Sequence, residues 1–130
     1  MVSVPAFLLR RLYVKGSLQD RQDGWGFRLK NGLGSGYAKG MLPLTLDGVE
    51  VPLEKTFFTT EGAEAPICFA DVNEQRTFGL QMGKVVAIAV KGDSLPRGAH
   101  TIGMGFIVPG LGKLRFDFSD VAQAVDPPGR

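Results

Sequence analysis

Glycine and proline punctuate this chain more tightly than any other feature: 18 glycines and 8 prolines are spread along 130 residues at short intervals, without gathering into a linker. Proline removes a helix donor and glycine carries a large backbone entropy cost in a helix, so the stretches between them do not suit helices of ordinary length. Many of those stretches alternate apolar and polar side chains, the period of a half-buried strand. The expectation is all-β: a single-domain antiparallel β-sandwich, jelly-roll-like, of about eight short strands and without a βαβ unit. The length suits one domain over residues 1–130, with residues 126–130 as a flexible or extended tail.

In residues 12–18, Leu12, Val14 and Leu18 alternate with Tyr13, Lys15 and Ser17, which predicts a first strand. Polar residues 19–24 read as a turn, and Trp25, Phe27 and Leu29 mark a second strand that closes a hairpin. Asp47-Gly48, flanked by Leu44-Thr45-Leu46 and Val49-Glu50-Val51, is the strongest hairpin signal, because a two-residue turn needs positive φ. Further strands are expected at residues 55–60, 77–80, 85–90, 102–108 and 114–118. Residues 61–75 read as a long loop with one helical turn, and residues 120–125 as a terminal helical turn. The expected core comprises Trp25, Phe27, Leu44, Leu46, Phe57, Val86, Ile88, Val90, Met104, Phe106, Phe116 and Phe118.

Composition bounds the function. Hydrophobic residues at 44% and charged residues at 22% match a folded globular chain. Fifteen basic against thirteen acidic residues, interspersed in sign, provide no footprint for a phosphate backbone, so nucleic acid is not an expected partner. The longest apolar run, residues 85–90, falls far short of the roughly twenty residues of a membrane span. Residues 4–9 are apolar but precede Arg10 and Arg11, the reverse of an export signal. A lone cysteine, Cys68, excludes an internal disulfide and suits a cytoplasmic location.

Two segments have an unusually small side. Ala87 and Ala89 alternate with Val86, Ile88 and Val90, while Gly103 and Gly105 alternate with Ile102, Met104 and Phe106. If the two segments pair, Ala87, Ala89, Gly103 and Gly105 make a flat patch on which a subunit could sit.

Candidate chemistry is sparse. His100 could act as a general base with Glu64, Asp71 and Glu74 of the 61–74 loop, against the simpler reading of a loop-edge histidine. A zinc site is excluded by one imidazole and one thiol in separate segments, and the acids, Glu61 included, follow no metal-binding spacing. Cys68 between Ile67 and Phe69 reads as a small core residue, and Asp93-Ser94 as turn chemistry. Gly32-Leu33-Gly34-Ser35-Gly36 lacks the final glycine and the following helix of a dinucleotide fingerprint, so no cofactor is expected. Tyr13, Trp25 and Tyr37 read as core or rim packing before they read as a stacking surface.

Residues 44–107 carry Leu44-Thr45-Leu46-Asp47-Gly48-Val49-Glu50-Val51-Pro52, then Thr56-Phe57-Phe58 and Glu61-Gly62, then Gly83 ahead of the apolar strand. Leu95-Pro96-Arg97-Gly98-Ala99-His100-Thr101-Ile102 follows. This order resembles the small β-sandwich subunits of bacterial C-glycoside deglycosidases. The resemblance implies a partner-dependent sandwich, in glycoside metabolism, whose larger barrel subunit holds the metal and the catalytic residues. It assigns no catalytic residue to this chain, and residues 4–39 lie outside it.

The functional expectation is a non-catalytic accessory or structural subunit that associates with itself or with a larger enzyme subunit. The alternative is a small ligand-binding protein or enzyme built on His100 and the loop acids.

Overall fold

The computed structural model describes residues 4–123. Among them the fold is all-β and antiparallel, with one short helix, α1 (Ala6–Leu9), followed by a 3-10 turn over Arg10–Leu12. The strands are β1 (Gln19–Arg21), β2 (Gly24–Lys30), β3 (Gly36–Ala38), β4 (Gly40–Leu46), β5 (Val49–Glu50), β6 (Thr56–Thr60), β7 (Ile67–Cys68), β8 (Phe78–Leu80), β9 (Val85–Lys91), β10 (Ala99–Val108) and β11 (Gly112–Val121). One sheet runs β1-β2-β9-β6-β7, a second runs β11-β10-β4-β5, and a ribbon of β3 and β8 is separate from both.

Alternation sets which face of each strand is buried. Val86, Ile88 and Val90 of β9 and Leu114, Phe116 and Phe118 of β11 are buried, while the residues between them are more exposed. The two inner faces meet where Phe27 of β2 lies edge-on to Phe118 of β11 at 5.1 Å, and Phe58 of β6 meets Phe78 of the β3-β8 ribbon at 4.8 Å. Of the expected core, Leu46 and Phe57 are only partly buried. Phe58, not Phe57, points inward, because the register that places Phe57 opposite Ala89 sends Phe57 to the outer face.

The Asp47-Gly48 turn forms as expected, with Leu46 opposite Val49 and φ of 51° and 86° at the two turn residues. The N-terminal expectation needs correction. Residues 12–18 do not form a strand: Tyr13 makes one isolated bridge to Leu29, and the chain turns at Lys15-Gly16. Tyr13 itself is the inward anchor, stacked on Phe118 with centroids 3.7 Å apart and planes 11° from parallel. The expected turn at residues 19–24 contains β1, whose polar residues suit an edge strand, and only Gln22 and Asp23 turn.

The C-terminal helical turn expected at 120–125 is a strand end as far as Val121, and Gln123 bridges to Gln19. Residues 124–130, which include the expected tail, lie outside the described region. N-terminal residues clasp β11 at one point on its edge and again just past its end. Arg10 donates from Nε to the Asp117 carbonyl at 2.7 Å, and Asp20 N–H donates to the Gln123 carbonyl at 2.8 Å.

Candidate functional site

His100 opens β10 with its ring buried, 7% exposed. Nδ1 lies 2.7 Å from Asp47 Oδ2 and Nε2 lies 2.7 Å from the Pro96 carbonyl oxygen. A carbonyl and an ionised carboxylate offer only lone pairs, so both contacts are hydrogen bonds at once when both ring nitrogens donate, in the protonated imidazole. The bonds to Asp47 and Pro96 raise the His100 pKa, and the bonds from His100 and from Thr101 N–H hold the Asp47 carboxyl below its ordinary range. With both nitrogens committed, this arrangement leaves no lone pair to accept a substrate proton.

Glu64, Asp71 and Glu74 are all exposed, and the His100 ring bonds to none of them. The partner it does have, Asp47, carried only a turn signal in the sequence. No cluster of three or more metal-ligating side chains occurs among the described residues. Cys68 is half-buried and donates from Sγ to the Leu53 carbonyl at 3.3 Å. A second polar cluster that the sequence did not signal ties Tyr13 to Asp120. The Tyr13 hydroxyl donates to Oδ2 at 2.7 Å and accepts from Leu18 N–H at 3.0 Å.

The small-residue surfaces separate. β9 pairs with β2 and β6, and β10 with β4 and β11, so the premise that residues 85–90 and 102–108 pair does not hold. Ala87 and Ala89 face outward on the five-stranded sheet, and Gly103 and Gly105 on the four-stranded one. Gly103 and Gly105 are closely flanked by their own neighbours beneath a shallow concavity: a Cβ at Gly103 would collide with Thr45 Oγ1, and one at Gly105 would sit 2.7 Å from Leu42 Cδ1.

Ala87 and Ala89 are different. Beside them lies Gly26, opposite Ala89, where a Cβ would collide with the Ile88 carbonyl oxygen. Together these three floor a trough along β9. Arg21 and Arg28 stand on one side and Phe57 and Thr59 on the other. Lys91 Nζ sits 4.9 Å from the centre of the Phe57 ring. The trough offers close approach in the middle and directional polar groups at its rims.

No helix of the described residues is long and apolar enough to cross a membrane. No curated protein matches the sequence. Residues 8–123 match the family described as hydroxymethylglutaryl-CoA reductase, N-terminal domain. That match overturns the resemblance to the deglycosidase small subunits, since it spans the segment on which the resemblance rested together with most of the N-terminal residues outside it. A family defined as one domain of an enzyme points to a structural or accessory role. By this match over most of its length, the chain belongs to the hydroxymethylglutaryl-CoA reductase N-terminal domain family.

Proposed function

We propose that this domain is a non-catalytic accessory unit that docks on a larger enzyme chain through the trough of Gly26, Ala87 and Ala89. The trough carries this reading: its floor has no side chain larger than a methyl group, half-exposed at both alanines, and no described segment of the chain lies across it. The family supports a larger enzyme chain as the occupant in preference to a second copy, because its description places the domain inside an enzyme. The lone thiol of Cys68 supports a reducing compartment such as the cytoplasm.

The test is the mass in solution by light scattering, alone and mixed with an enzyme chain encoded beside it, for the natural protein and for Ala89→Arg. Loss of the complex in Ala89→Arg with unchanged circular dichroism supports the proposal. A complex that survives the substitution overturns the placement. Self-association in the absence of the enzyme chain assigns the face to a second copy.

A further inference from the structure

A second concavity lies elsewhere, at the end of the sandwich that the β3-β8 ribbon covers. It measures about 320 Å³, at the lower end of ligand-pocket volumes. Leu9 and Leu12 from the N-terminal turns, Leu80 from β8, Phe106 from β10 and Leu114 from β11 form its walls. All five are buried core residues, so the concavity is a half-open cleft floored by the hydrophobic core, with the exposed 33–37 loop at its rim.

Its chemistry is one-sided. None of its described lining residues carries a charge. Asn31, 2% exposed, is fully engaged in holding the 31–36 loop: Nδ2 donates to the Gly34 and Leu80 carbonyls, and Oδ1 accepts from Leu33 and Gly34 N–H. Ser35 is placed otherwise. Its Oγ accepts from Met82 N–H at 3.0 Å, which leaves the hydroxyl hydrogen to donate at the mouth. The loop that carries it has open space on its outer side, since Gly32, Gly34 and Gly36 have nothing within 4 Å of a notional Cβ. Leu33 and Tyr37 stand exposed beside the opening.

We infer that this recess binds a neutral, predominantly apolar small molecule of one or two rings or a short alkyl chain, with one acceptor that meets the Ser35 hydroxyl. An apolar recess favours such a guest over water, which would find few partners there. A charged guest would lose its hydration with no counter-charge to replace it. The inference is independent of the docking trough, which is floored by β9 and shares no residue with this recess.

The experiment is a methyl NMR titration of the protein with indole, 1-hexanol and hexanoate. The expected result is saturable shifts at the Leu9, Leu12, Leu80 and Val108 methyls for indole and hexanol, with hexanoate weaker by about tenfold or more. Two filling variants at partly buried lining positions, Leu111→Trp and Val108→Phe, abolish those shifts while the remaining spectrum stays folded. Absence of saturable shifts in the natural protein overturns the inference, as does equal binding by a folded filling variant. Hexanoate binding as tightly as hexanol overturns the assignment of a neutral ligand. If one variant fails to fold, the other and the natural protein still decide.

Discussion

Asp47 and His100, 53 positions apart, hold each other at 2.7 Å beside the turn of the β4-β5 hairpin, and the same imidazole bonds the Pro96 carbonyl at 2.7 Å. The clasp needs a cation on the ring and an anion on the carboxylate. The His100 pKa is raised, so its contribution to stability is fully present below the ordinary value of 6.5 and is lost as the pH rises through the folded value. The Asp47 pKa is lowered, so its contribution is present above 3.8 and is lost as the pH falls through the folded value. Urea unfolding from pH 4 to 9 is expected to show stability falling on the alkaline side, and His100→Ala to flatten that limb while costing about 1–3 kcal/mol below it. An unchanged alkaline limb in His100→Ala contradicts this.

Tyr13→Phe keeps the ring on Phe118 but leaves the buried Leu18 without its partner for N–H and takes one of three donors from Asp120, which keeps Gly16 and Val121 N–H. The expected cost is about 1–3 kcal/mol. Burial first, and then the bond to Asp120, push the Tyr13 hydroxyl up to about 12. A tyrosine held protonated in the fold stabilises fully below its ordinary value of 10, and that contribution is lost between 10 and about 12. Absorbance at 295 nm of Tyr37→Phe isolates the Tyr13 titration, and ionisation near 10 in the folded protein would refute the assignment.

Gly24→Ala is expected to be the most damaging small substitution in the sheet. A Cβ there would run into the Val90 carbonyl oxygen, and φ of 149° is closed to other residues. The cost is about 3 kcal/mol or more, read as a fall in Tm of about 3–4 °C per kcal/mol. A near-natural Tm would show that β2 and β9 part there at little cost.

Asn31→Ala removes four bonds around a buried side chain and strands the Leu80 carbonyl. A loss of about 2–3 kcal/mol is expected, with faster amide exchange confined to residues 31–36 and 80–83. Uniform acceleration across the sheets would show that Asn31 supports the whole fold.

What was legible in the sequence was local. Asp47-Gly48 carries its own turn chemistry, and the alternation of residues 85–90 and 114–118 names the inner faces directly, so turn and core were readable. Pairing between distant strands carries no such local mark. The two small-residue segments sit in different sheets because β9 joins β2 and β6, a choice made by the whole topology. Residues 12–18 misled for a related reason: Leu12 and Leu18 are buried as their alternation implies, but the chain turns at Lys15-Gly16, where Gly16 and Tyr13 bond the distant Asp120. The histidine was visible and its partner was not, since an aspartate that serves a tight turn gives no sign that its carboxylate also reaches a ring from another strand.

The clasp on β11 has a consequence for assembly. Arg10 holds the strand's outer edge at the Asp117 carbonyl, and Asp20 and Gln19 hold Gln123 just past its end. Arg10 and Asp117 stand 107 positions apart, so the clasp closes only after segments distant in sequence have met. Until they meet, that edge stays open to strands from neighbouring chains, and protection against misassociation is a late gain of folding.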